Sequence, residues 1–209
     1  IFRDTTALRA RSWKSRAGYT YGLHGTPTTF TLEERIATLE GGRYCVLAPS
    51  GLAAITLVNL ALLKAGDEVL LPSNVYGPSR EQARVMLAGF GVTHREYDPM
   101  DAASLSGMVG ANTRLVWVEA PGSVTMEFPD LRALVVAAQA GGAVCALDNT
   151  WGAGLAFDAF ELGVDISIVA GRFKMISRPS PGCQTSDTAS HTSTENSNSV
   201  PVKISGEYV

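Results

Sequence analysis

Cysteine is scarce in this chain: Cys45, Cys145 and Cys183 are the three in 209 residues, and they lie far apart. An odd, scattered set argues against a secreted disulfide scaffold and points to a reducing, cytoplasmic compartment. Histidine is equally rare, with His24, His94 and His191 the whole complement. None has the Cys/His spacing of a zinc site, so no metal centre is expected. Basic charge is short as well. The formal net charge is −3, and the one basic cluster, "RARSWKSR" (9–16), is mixed with polar residues and reads as a solvated arm. A phosphate-backbone surface needs a clustered basic excess, so no nucleic-acid partner is expected.

Long apolar runs are also lacking. "LAAITLVNLALL" (52–63) is too short to span a bilayer, and no signal peptide is visible, so no membrane partner is expected. No GxGxxG follows a strand and GxxxxGK is absent, which argues against a dinucleotide fingerprint and a P-loop. The chain opens on Ile rather than Met, and residues upstream of it are expected.

What is present is a regular alternation. "FTLEERIATLEGG" places Leu32, Ile36 and Leu39 on one helical face, and "RYCVLAPSG" reads as a strand ending in a turn. "GLAAITLVNLALLKAGD" is a helix, "EVLLPS" a strand, "REQARVMLAGFG" a helix and "VTHREYD" a strand. "AASLSGMVG" is a short helix, "TRLVWVEAPGS" a strand, "PDLRALVVAAQAGG" a helix and "AVCALDNTWG" a strand. "AFDAFELG" is expected as helix and "VDISIVA" as the last strand. Apolar strands alternating with helices predict an α/β fold, a mostly parallel sheet flanked by helices. Beyond residue 175, "SRPSPGCQTSDTASHTSTENSNS" has no hydrophobic period and is expected as a disordered Ser/Thr-rich tail over 175–209.

In such sheets ligands bind beyond the carboxyl ends of the strands. The residues of interest are therefore the strand exits: Ser50–Gly51, Asn74–Tyr76, Ser123, Asp148–Thr150 and those after Ala170. "APSGLAA" (48–54) offers amide groups at a helix start as an anion cradle, or a glycine chosen only for its turn. Tyr76 in "SNVYGPS" is either a stacking platform for a planar ligand or a half-buried aromatic. Asp148 in "ALDNTWG" would be partly desolvated, which calls for a cation such as a protonated ring nitrogen; otherwise it caps its own turn.

Taken in chain order, "YGLHGTPTTFTLEERIATLEGG", "APSGLAA", "SNVYGPS", "VWVEAPGSVTMEFPDL" and "LDNTWGAGLAFDAFELGVDIS" resemble the Cys/Met-metabolism family of pyridoxal-phosphate enzymes, nearest its cystathionine β-lyase branch. The resemblance covers roughly residues 1–168. It implies the large domain of a fold-type I, aspartate-aminotransferase-like enzyme, here incomplete, with pyridoxal 5′-phosphate as cofactor. By that resemblance Gly51 and Leu52 hold the cofactor phosphate, Tyr76 stacks on the pyridine ring and Asp148 pairs with the ring nitrogen. Ser123 is a further cofactor-binding candidate. Tyr21 matches a tyrosine that reaches the neighbouring subunit's phosphate, so residues 1–29 are expected as an intersubunit arm of a homodimer or homotetramer. The family's arginine two residues on is here Leu23.

The reaction implied is β-elimination of an amino-acid thioether, cystathionine, to homocysteine, pyruvate and ammonia. A lysine anchors the cofactor and serves as general base. The register breaks at that residue. The family pattern places the lysine at the position of Phe173, and Lys174 comes one residue late. The family's substrate-carboxylate arginine, from its C-terminal domain, has no counterpart between Lys174 and Val209. Residues 30–174 are thus expected as a partial cofactor-binding domain with an open sheet edge, and Lys174 is the catalytic candidate. The alternatives are a cystathionine γ-synthase or γ-lyase type of activity, and a catalytically silent fragment of the fold.

Overall fold

A computed structural model describes residues 3–10, 22 and 25–170, and the backbone of 175–177. All of them fall in one compact unit, Ile1–Arg178. Lys174, Tyr21, Leu23 and the sequence from 178 onward lie outside the described residues.

The strands are β1 (Tyr44–Val46), β2 (Glu68–Pro72), β3 (Thr93–Tyr97), β4 (Thr113–Glu119), β5 (Val144–Asp148), β6 (Ile166–Ile168) and β7 (Met175–Ser177). The helices are α1 (Thr5–Arg9), α2 (Pro27–Leu39), α3 (Gly51–Leu62), α4 (Gly77–Gln82), which runs on through a π turn at Ala83–Leu87, α5 (Ala102–Met108) and α6 (Leu131–Ala140). The strands form one sheet in the order β1-β7-β6-β5-β4-β2-β3. From β6 to β3 every pair is parallel, and β7 is antiparallel to both of its neighbours.

Alternate strand residues point to opposite faces, and each face has its own helices. On β4, Leu115 and Trp117 pack with Ala54, Ile55 and Val58 of α3 and with Ala83 and Leu87 after α4. Val116 and Val118 pack on the other face with Ile36 of α2, Leu105 of α5 and Leu134 and Ala138 of α6. Polar groups buried beside Trp117 are paired: its indole N–H donates to Asn59 Oδ1 at 3.0 Å, and Asn59 Nδ2 donates to Gln82. The Tyr97 hydroxyl donates to the Trp117 carbonyl at 2.8 Å. With these donors and acceptors satisfied, the two cores are built mainly from aliphatic packing.

Several expectations need correcting. Helix α2 starts at Pro27, inside the stretch assigned to the arm. Thr26 caps it, its Oγ1 accepting the Thr29 amide while Thr29 Oγ1 accepts the Thr26 amide, and proline is preorganised for a first turn. Its inward face is Ile36 and Ala37, while Leu32 and Leu39 are exposed. The run 156–163 is a set of turns rather than a helix. There the Asp158 carboxylate accepts the Phe160 and Glu161 amides and Gly163 closes the turn at φ +102°, so local side-chain bonds replace a helical ladder.

The largest correction lies at 175–177. This segment, assigned to the disordered tail, is strand β7, with Ile176 opposite both Cys45 of β1 and Ser167 of β6. The open edge expected after β6 is thereby filled. Three residues carry no readable period; what selects a strand is the row of unpaired backbone groups on either side. Helix α1, capped by Asp4, buries no residue.

Replacing Ile176 with Pro removes an N–H from a strand paired on both sides. Cys45, buried against β7's position, should then be alkylated about tenfold faster while Cys145 stays protected, as read by peptide-mapped thiol labelling. Unchanged protection of Cys45 would remove β7 from the sheet.

Candidate functional site

Strands β2 and β3 lie on one side of the β2/β4 boundary and β4 and β5 continue on the other. The connection after β2 uses α4 on one face and the connection after β4 uses α6 on the opposite face. Chain direction across the sheet therefore reverses at β2/β4, and such a switch point opens a crevice beyond the strand ends. Tyr76 and Ser123 lie on the loops that follow these two strands, and Asp148 ends β5, the next strand along.

Asp148 ends β5. Its Oδ1 accepts both the amide of Thr150, at 3.1 Å, and the Thr150 hydroxyl. Of the two alternatives for this residue the turn cap is seen: Oδ1 caps the turn, and among the described residues no bond engages Oδ2. Burial raises the Asp148 pKa, and the two bonds from Thr150 only partly oppose that shift. A partly desolvated carboxylate with one open oxygen is suited to a cation.

Glu119 ends β4 and is paired in register with Asp148. It is buried, only 5% exposed, and accepts the backbone N–H of Tyr76 on Oε2 at 2.8 Å. Ser123, on the loop after β4, lies close enough to oppose slightly the rise in the Glu119 pKa. That pKa is raised to about 7, first by desolvation and further by the negative charge of Asp148. Sequence reasoning missed this residue. The available signal was an acidic residue closing an apolar strand in "LVWVEAP", but its neighbour in the sheet is not visible along the chain.

The loops from β2 and β4 are also tied to each other. The Ser123 amide donates to the Asn74 carbonyl at 3.1 Å, and Asn74 Nδ2 donates to Glu127 at 2.9 Å. Tyr76 comes two residues later and is 40% exposed.

At the front of α3, Ser50 Oγ accepts the Ala53 amide and the Ser50 carbonyl accepts that of Ala54. The donors left at the first turn are those of Gly51 and Leu52. A Cβ at Gly51 would lie 2.7 Å from Cβ of Ala170, so glycine here answers to the chain leaving β6. Ala170 in turn donates its amide to Thr150 Oγ1 at 3.0 Å, which links the α3 start to Asp148 through one hydroxyl. Below the turn lies a second acidic group that sequence reasoning missed. Glu40 is buried and accepts from Asn149 Nδ2 at 3.2 Å and from Ser167 Oγ at 3.0 Å. The structure thus brings together Gly51, Leu52, Tyr76, Ser123 and Asp148; Tyr21 and Lys174 lie outside the described residues.

Residues 2–175 match the family described as Cys/Met metabolism PLP-dependent enzyme. The chain belongs to that family. A Rhizobium johnstonii protein assigned as a cystathionine beta-lyase is 43% identical over 170 residues, covering 81% of this chain and 42% of that protein. The cystathionine beta-lyase of Salmonella typhimurium is 42% identical over 153 residues, 72% of this chain and 39% of that one. Among solved structures, a Campylobacter jejuni chain assigned as O-acetylhomoserine (thiol)-lyase superposes with a TM-score of 0.76 at 25% identity, covering 86% of this chain and 47% of that one. That structure carries N′-pyridoxyl-lysine-5′-monophosphate. This member of the Cys/Met-metabolism family spans less than half the length of each of these three proteins.

The geometry makes two outcomes testable. Gly51→Ala should cost about 1–3 kcal/mol in urea unfolding by overpacking against Ala170, and adding Ala170→Gly should recover most of that loss. Additive losses would place the strain elsewhere. The second concerns pH. Glu119 has an ordinary value of 4.5 when unfolded and about 7 when folded, so between those values the folded chain holds a proton that the unfolded chain releases. Stability should fall as pH rises from about 4.5 to 7, with the Asp148 shift acting in the same sense, by at most about 3 kcal/mol for Glu119. Glu119→Gln should flatten that slope in urea titrations run at successive pH values; an unchanged slope would assign it to other groups.

Proposed function

We propose that this chain is the cofactor-binding portion of a carbon–sulfur lyase, acting by β-elimination on a thioether amino acid of the cystathionine type. The observation that carries the reading is Asp148, held by Thr150 at a switch-point crevice with one carboxylate oxygen open. The residues present fit pyridoxal phosphate. Asp148 is placed to receive a protonated ring nitrogen, the Gly51 and Leu52 amides to receive a phosphate, and Tyr76 to cover a ring face. When bound, the cofactor supplies an electron sink for negative charge at the substrate α-carbon.

The chain's own residues supply the setting for that chemistry. Asp148 keeps the opposing nitrogen protonated, and Ser123 offers a hydroxyl at the same crevice. In a homodimer or homotetramer, Tyr21 from a second copy reaches the phosphate, and Lys174 is the residue to which cofactor anchoring and proton transfer fall. The β-lyase assignment is supported by the names of relatives 43% and 42% identical, rather than by any substrate contact.

The test uses the full chain. Equilibrium dialysis with pyridoxal phosphate should give saturable binding that Asp148→Asn and Tyr76→Ala each weaken about tenfold or more, the loss expected for one charge-assisted bond or one ring contact. Borohydride reduction and peptide mapping should place the modification on Lys174. Binding indifferent to both substitutions, or modification scattered over other lysines, would overturn the reading.

A further inference from the structure

Glu119 stands out because no step of the proposed reaction uses it. It is buried, it ends the strand beside Asp148 in register, and it reaches across to the loop from β2. Its donor is informative. It is the main-chain N–H of Tyr76, the residue read as the ring platform.

A carboxylate at a strand end could have been satisfied within its own strand or by an arginine; half-buried Glu68 does the latter with Arg95, at 2.6 Å. Glu119 instead directs an acceptor to the loop after β2. Tyr76 has φ −46° and ψ 119° and precedes α4; its side chain makes no capping bond, while its carbonyl accepts the Ser79 and Arg80 amides. The carbonyl side is thus held by α4, and the amide side is held by Glu119, which ties the tyrosine to the end of β4. Asn74 adds a second tie two residues earlier, through the Ser123 amide and Glu127.

We propose that Glu119 is a positioning residue, which fixes the Tyr76 main chain and so sets the ring platform relative to Asp148. The inference rests on the reading of Tyr76 and Asp148 as cofactor contacts. Length and acceptor matter more than charge for this role. A glutamine keeps a carbonyl oxygen where Tyr76 N–H needs it, an aspartate withdraws the acceptor by one methylene, and an alanine removes it.

The test combines hydrogen–deuterium exchange of the full chain, monitored on peptides covering 73–80, with pyridoxal phosphate affinity by equilibrium dialysis. Glu119→Ala should speed exchange at the Tyr76 amide about tenfold and weaken pyridoxal phosphate about tenfold, while Glu119→Gln restores both to within about threefold. Glu119→Asp should behave as alanine does, and it decides the matter if the alanine variant does not fold. Unchanged Tyr76 exchange in the alanine or aspartate variant, or no rescue by glutamine, overturns the inference even where Asp148→Asn still weakens binding. A wild-type chain that binds no pyridoxal phosphate, or binds it indifferently to Asp148→Asn, defeats the cofactor reading instead. In that case the positioning of Tyr76 for a cofactor falls with it, while the exchange data still report the tether itself.

Discussion

The parallel register between β4 and β5 sets Glu119 directly beside Asp148, and much of the site is a response to that juxtaposition. Neighbouring strands are only about 4.8 Å apart. Two like charges near 5 Å repel by roughly 3 kcal/mol at an effective dielectric of 20, before desolvation is counted. Each carboxylate must therefore be held by donors, be protonated, or face a cation. Thr150 supplies donors to Asp148, while the Tyr76 amide supplies one to Glu119. Those donors sit on the loops after β5 and β2. The loops are thus tied to the strand ends by the same electrostatic demand that makes the crevice attractive to a positively charged ring.

The sheet makes this possible by burying both of its faces. Leu115 and Trp117 serve one core and Val116 and Val118 the other, so β4 is clamped along its length and its terminal residue has little freedom of direction. Beside Trp117 the buried polar groups are paired, through Asn59 and Gln82. The chain returning after β6 completes the arrangement. Ala170 packs at Gly51 and donates to Thr150, so this segment ties the start of α3 to the β5 turn.

Much of this was legible along the chain where local signals are strong. The apolar strands and the longer helical runs mark their elements without help from the rest of the fold, and in the structure Ser50, Asp101 and Asp130 cap α3, α5 and α6. Where local signals are weak, tertiary context decided. Leu32 and Leu39 have helical spacing, yet α2 turns Ile36 and Ala37 inward because those face the sheet. The run 156–163 has helical composition, but the Asp158 carboxylate takes the amides that a helix would have used. Glu119 gave a hint only as an acid at the end of an apolar strand. Its meaning depends on Asp148, twenty-nine positions away in sequence and adjacent in the sheet.

By itself, the sequence determined the α/β class, the order of the elements, and Gly51, Tyr76, Ser123 and Asp148 as strand-exit residues, with Leu52 added by family resemblance. Those rest on hydrophobic period and family-like blocks, all of which are local in the chain. Only the tertiary structure decided that Glu119 lies beside Asp148, that one Asp148 oxygen is taken by its own turn, and that β7 seats between β6 and β1. Each of these depends on which strands become neighbours and in what register. That choice is made by the packing of two cores at once, and no single segment carries it.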